Sequence, residues 1–213
     1  MKYQIVDLDN WERKNLYAFY STFDCPCFSL TFKIKCQKVW EECKKDEDKS
    51  FFLYCFYYIL NSLNSIENFR YRVHEGKVVL YEKCNAVCAI DIGNDLFEEV
   101  EFEYFDDMDE FFANSKKIIK RVKEAKNVNV GENDDNQYIV SCVPWLEFES
   151  YTPAQLDFKQ AAPHITFGKY KDGEIPLTIK ANHCFVDGMH IRGFISNLER
   201  LLEPVGTGLG GQK

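Results

Sequence analysis

The sequence predicts an α/β fold, a two-layer sandwich in which a mixed β-sheet is flanked by helices. Two kinds of segment predict it. In 177–184, Leu177, Ile179, Ala181 and His183 fall on one side of a period-two pattern, and Thr178, Lys180, Asn182 and Cys184 on the other, as in a strand. Beyond it, Ile191, Phe194, Ile195, Leu198, Leu201 and Leu202 recur at helical spacing until Pro204 stops the run. Residues 51–66, after a capping Ser50, are apolar and aromatic on nearly every side, so that helix must be covered all round. Apolar faces of both kinds are buried by stacking helices on sheet. A chain of 213 residues suffices for one sizeable core. The expected organisation is a single domain over 1–205 and a glycine-rich tail over 206–213 that has nothing to bury.

Taken in order, 1–20 carry Trp11, Phe19 and Tyr20 among charged neighbours and suit a short helix or turn against the main body. Phe28, Leu30, Phe32 and Ile34 alternate with Ser29, Thr31 and Lys33, a half-buried strand over 27–34 preceded by a loop at 23–27. A charged stretch over 40–50 leads to the apolar helix. Strands are expected at 69–73, 78–81 and 86–90, with Glu75-Gly76 turning between the first two, and the alternating acidic run 98–103 reads as a strand with one wetted face. Asp107 and Glu110 have capping-box spacing. The helix they open is lined by Phe111, Phe112, Ile118, Ile119 and Val122 and ends in lysines, the polarity its dipole favours. A polar loop over 127–136 precedes a strand at 138–142. Residues 153–161 read as linker or short helix, 164–168 as another strand, and 171–174 as its turn into the strand that ends at His183.

Composition excludes several functions. With 26 Lys and Arg against 34 Asp and Glu, the net charge of −8 offers no basic footprint for nucleic acid. The aromatic run 51–63 is too short to span a bilayer, and Met1-Lys2-Tyr3-Gln4 opens no apolar signal segment, so a soluble cytoplasmic protein is expected. Nine scattered cysteines read as reduced thiols, and Cys25-Pro26-Cys27 lacks a second cluster at ligand spacing, so no metal is expected.

The chemistry concentrates in Asn182-His183-Cys184-Phe185-Val186-Asp187-Gly188. An imidazole exchanges a proton near neutral pH, a carboxylate four residues on can organise the loop, and glycine permits a turn that a side chain would forbid. Arg13 reads on its own as a surface charge, and Ser141 as an ordinary strand serine. Met189 and His190 open the last helix, where packing or solvent exposure is expected.

His183, Asp187 and Gly188 resemble the HHxxxDG signature of the chloramphenicol acetyltransferase family. Three further stretches match in order: Trp11-Glu12-Arg13-Lys14 with Phe19-Tyr20 and Phe28-Ser29-Leu30-Thr31, then Ser141-Cys142-Val143-Pro144-Trp145, then Ala162-Pro163-His164-Ile165-Thr166-Phe167-Gly168-Lys169-Tyr170. The resemblance covers nearly the whole chain. It implies the CoA-dependent acyltransferase fold and direct attack of an alcohol on acetyl-CoA, a cosubstrate with no permanently bound cofactor. His183 would be the general base, Ser141 the oxyanion donor, and Thr166 the holder of an active-site water. Asp187 would pair with a buried Arg13 as structural support. Phe19 and Tyr20 match aromatic residues of the acceptor pocket, Asp24 and Ile139 stand at acceptor positions with residues the family does not usually have, and Trp145, Lys169 and Tyr170 match segments near CoA. Three subunits would associate, each site lying at an interface, with a small hydrophobic alcohol as the other substrate.

The match has departures. Asn182 replaces the first histidine of the signature, Asp24 brings a carboxylate to the acceptor region, Ile139 stands where asparagine is common, and Glu147 and Glu149 replace small uncharged residues. Three readings follow: chloramphenicol O-acetylation, O-acetylation of a different alcohol, and a noncatalytic scaffold. The joint presence of Ser141, Thr166, His183 and Asp187 disfavours the scaffold. Ester hydrolysis is disfavoured because no Gly-x-Ser-x-Gly elbow precedes His183.

Overall fold

Among the described residues, nine strands and five helices build a mixed six-stranded sheet, a small three-stranded sheet and a helical layer. The computed structural model describes residues 2–129, 134–154 and 162–203. The stop at Pro204, the tail over 206–213, most of the 153–161 linker and residues 130–133 of the polar loop lie outside the described residues. Strand β1 (Tyr3–Ile5) is followed by α1 (Lys14–Tyr20), β2 (Cys27–Lys35), α2 (Gln37–Lys45) and α3 (Phe51–Asn64). Then come β3 (Tyr71–His74), β4 (Lys77–Tyr81), β5 (Asn85–Gly93), β6 (Leu96–Phe102) and α4 (Met108–Ala125). The chain closes with β7 (Gln137–Cys142), β8 (His164–Phe167), β9 (Glu174–Asn182) and α5 (Gly188–Leu202).

The large sheet runs β2-β9-β8-β7-β5-β6, with parallel pairing only at β5–β7 and β7–β8. The small sheet runs β1-β4-β3. Helix α3 is the spine of the core, as its composition demands: Cys55, Phe56, Ile59, Leu60 and Leu63 have no exposure, and Ser50 Oγ accepts the Leu53 N–H at 3.4 Å to start it. Helix α5 buries Ile191, Phe194, Leu198 and Leu202, the stripe read from its spacing. Asp107 caps α4 by accepting the Glu110 N–H at 2.8 Å. Among the described residues no disulfide joins any of the nine cysteines, and no helix is long and apolar enough to cross a membrane.

Four local expectations change. Strand β1 and helix α2 carry too few apolar residues to stand out; β1 is held by its pairing with β4. The strand expected at 69–73 begins at Tyr71, because Glu67–Arg70 form a 3₁₀ turn that buries Phe69. Strand β9 is buried on both faces, Thr178 and Asn182 included. Its polar face stays hydrogen-bonded, Thr178 Oγ1 lying 2.7 Å from Thr31 Oγ1 on β2. The turn into β9 is as expected: Asp172 (φ 51°) and Gly173 (φ 90°) are both left-handed, which a two-residue hairpin loop needs.

Candidate active site

Strand β9 ends at Asn182, so His183 is the first residue of the turn that feeds α5. The turn is pinned from several sides. Asn182 Oδ1 accepts the Cys184 N–H at 2.9 Å, and the Asn182 carbonyl takes the N–H groups of Phe185 and Val186 at 3.1 and 3.0 Å. The His183 N–H donates to the Pro26 carbonyl at 2.7 Å, tying the turn to the end of β2.

Arg13 stands at the start of α1, its carbonyl accepting the Tyr17 N–H, and sends a 9% exposed side chain into the turn. Its guanidinium donates to the His183 carbonyl at 3.0 Å, to the Cys184 carbonyl at 2.8 Å and to Asp187 Oδ2 at 2.9 Å. A fork of donors in fixed geometry thus fastens three points of one turn, which a lysine could not do. Burial pushes the Asp187 carboxyl up, but Arg13, the His190 ring and the Met189 N–H outweigh it and hold the acid below its ordinary range.

The His183 ring is held by aromatic faces. It stacks on Tyr20 at 4.0 Å with planes 7° apart and leans on Phe28 at 4.7 Å. Its Nδ1 is buried and has no hydrogen-bonding partner among the described residues. Tyr20 in turn packs edge-on against Phe19 and Phe23, and Phe19 is 58% exposed.

Ser141 and Thr166 lie elsewhere. They face each other across β7 and β8, and the register continues to Thr178 on β9 and Thr31 on β2, so four hydroxyl residues share one row on one sheet face. Two residues back, Ile139, His164, Lys180 and Ser29 form a second row on that face. Strand β9 lies two strand spacings from β7, roughly 10 Å, and His183 lies five residues past Thr178, roughly 16 Å along the strand. Within one chain, His183 and Ser141 cannot reach the same reacting carbonyl.

The other expected residues divide. Trp145 is 70% exposed, and the Lys169 N–H donates to the Leu146 carbonyl at 2.8 Å, bringing these loops together at the ends of β7 and β8. The junction leaves no space at Gly168, where a Cβ would meet the Leu146 carbonyl at 2.6 Å. Tyr170 stacks on Trp40 at 4.1 Å and abuts Phe51, so its ring is committed to packing. Asp24 is exposed, and Glu147 pairs with Lys171 at 2.8 Å, so both carboxylates are satisfied at the surface.

Two residues of the turn escape sequence reasoning. The expectation for His190 is corrected: its Nδ1 accepts the Asp187 N–H at 3.0 Å while Asp187 Oδ1 accepts the Met189 N–H at 3.2 Å, a reciprocal cap on α5. Burial holds its pKa down, as an accepting ring nitrogen requires. Spacing gave the signal, since a polar residue three after an Asp cap is the capping-box pattern with histidine in place of Glu. Asn182 is the second, and an Asx turn needs only its short side-chain carbonyl.

A protein-family model described as chloramphenicol acetyltransferase matches residues 1–199. The chain is 28% identical over 212 residues to chloramphenicol acetyltransferase 3 of Escherichia coli, covering 94% of this chain and 97% of that one. It is 29% identical over 211 residues to chloramphenicol acetyltransferase of Campylobacter coli, at 95% and 99% coverage. A solved chloramphenicol acetyltransferase superposes with a TM-score of 0.84 at 29% identity, over 95% of this chain and all of that chain. The catalytic core of a 2-oxoacid dehydrogenase complex from Thermoplasma acidophilum shares the fold, with a TM-score of 0.65 at 16% identity.

Proposed function

The chain belongs to the chloramphenicol acetyltransferase family, and from that premise we propose that it moves the acetyl group of acetyl-CoA to a hydroxyl of chloramphenicol. Family membership supports the coarser activity, CoA-dependent O-acetylation of a hydrophobic alcohol. The observation that carries the catalytic reading is the three-point grip of Arg13 on the His183 turn, which fixes an imidazole between Tyr20 and Phe28.

The His183 imidazole takes the proton of the acceptor hydroxyl as its oxygen attacks the thioester carbon. The carbonyl π electrons move to oxygen, and the Ser141 hydroxyl donates a hydrogen bond to the resulting oxyanion. Collapse breaks the carbon–sulfur bond, and CoA leaves as the thiol with the proton His183 holds. Thr166, paired with Ser141 across β8, supports that end of the site. Because His183 and Ser141 stand on the order of 20 Å apart in one chain, each site combines the His183 turn of one copy with the Ser141 face of another. A closed three-fold assembly provides such heterologous contacts. Trp145 and Lys169 would flank the CoA entrance.

The second reading is the same chemistry on a different hydrophobic alcohol, favoured by Ile139 beside Ser141 on the sheet face. The test is CoA thiol release from acetyl-CoA with chloramphenicol, a panel of hydrophobic alcohols and no acceptor. Release with chloramphenicol establishes the first reading, release only with another alcohol establishes the second, and no release with any acceptor overturns both. Mixing His183→Ala chains with Ser141→Ala chains tests the shared site: turnover restored on mixing is expected, and no recovery in mixed assemblies rules the interfacial site out.

A further inference from the structure

Strand pairing sets His164 opposite Ile139 on one side and Lys180 on the other, on the sheet face that carries Ser141 and Thr166. Its Nε2 is buried with no hydrogen-bonding partner among the described residues. Leaving such an atom unpaired in the interior is costly, so an apolar residue would serve better if the position only packed. The ring lies two residues from the Ser141–Thr166 row, roughly 7 Å along the strands. We propose that His164 is a specificity-determining residue that hydrogen-bonds a second polar group of the acceptor, roughly 7 Å from the hydroxyl that receives the acetyl group.

Burial, with the Lys180 charge adding to it, holds the His164 pKa at about 4, so the imidazole is neutral at pH 7 and offers one donor and one acceptor. The preferred acceptor is therefore an alcohol carrying a further hydroxyl, amide or similar neutral group. Lys180, directly opposite, disfavours a cationic group at that point. A site built to hydrogen-bond a substrate discriminates strongly against the analogue that lacks the partner group. This inference rests on the reading of Ser141 as the oxyanion donor.

The experiment compares wild type, His164→Leu and His164→Gln with chloramphenicol, which carries an amide and a second hydroxyl, and with 3-phenylpropan-1-ol, which carries neither. CoA release supplies KM and kcat, calorimetry supplies chloramphenicol binding without turnover, and gel filtration supplies assembly size. His164→Leu is expected to raise the chloramphenicol KM and Kd about tenfold, the effect of one lost hydrogen bond. KM for 3-phenylpropan-1-ol and for acetyl-CoA stays unchanged, and His164→Gln recovers most of the loss. Equal effects on both alcohols, no effect on either, or a changed assembly size with no rescue by Gln would overturn it. If wild type turns over neither alcohol, the chloramphenicol reading fails, and calorimetry alone decides: chloramphenicol binding wild type but not His164→Leu sustains the role of His164, and any other pattern removes it.

Discussion

The His183 turn and the Ser141 face are built on opposite plans. The frame of the turn is complete in one chain: Asn182, Arg13, Asp187 and His190 satisfy its backbone, and Tyr20 and Phe28 hold the ring, whose Nδ1 has no partner among the described residues. The face is regular sheet whose chemistry comes only from which side chains share a row, and it too holds a ring nitrogen, that of His164, without a partner among the described residues. On the proposed reading a base needs one orientation before the substrate arrives, and such a frame supplies it. A binding face can leave polar atoms for its ligand.

Five experiments break or sharpen that contrast. The largest effect is expected from His183→Ala, with kcat lower by about 10²–10⁴, the usual worth of a general base, and acetyl-CoA binding retained. Wild-type turnover would remove His183 from the chemistry. Ser141→Ala should lower kcat by about 10²–10³ with little change in melting temperature, because it removes one donor from an ordinary strand. A large loss of stability with unchanged kcat would make the serine structural.

Arg13→Ala attacks the frame itself. Breaking a buried pair costs about 3–5 kcal/mol, and the partial exposure of Asp187 puts this one at the lower end. Urea unfolding should show that loss together with reduced turnover; unchanged unfolding and activity would refute the three-point grip. Loss of the reciprocal cap in His190→Ala should cost about 1 kcal/mol by the same measurement, and no change would leave Asp187 as sole cap.

The smallest effect is a pH dependence that distinguishes the two regions. His164 is held at about 4 against the ordinary imidazole value of 6.5, so between those values the unfolded chain binds a proton the folded one refuses. Stability is therefore lost as pH falls from about 6.5 to 4, and His164→Leu should flatten that slope in a melting series. His190 is lowered too and adds to the slope. Asp187, also lowered, acts in a separate window: its stabilisation is present above the unfolded carboxyl value and vanishes as pH falls through its lower folded value. A slope unchanged by His164→Leu would place His164 in water.

Legibility in the sequence followed signal strength. Helix α3 was plain because its long apolar run leaves no alternative, α5 because of its periodic stripe, and β2 and β9 because alternation names the strand. Helix α2 and β1 were not, since their apolar residues are few and β1 exists only against β4. In the site, His183, Asp187 and Gly188 share a short motif and were visible together. The link from Arg13 to Asp187 was legible only through resemblance, because 174 residues separate them and no local pattern encodes the pair.

By itself, the sequence determined the layered α/β class, the buried α3 spine, the turn that presents His183 and the strands that carry Ser141 and Thr166. Those follow from local periodicity and turn chemistry, which act over a few residues. Only the tertiary structure decided which side chains become neighbours across strands. Register put His164 between Ile139 and Lys180, two residues from Ser141, and set Ser141 far from His183. A shift of one residue in any of those pairings would turn the whole row to the other face, and register is a property of the packed sheet that no single strand contains.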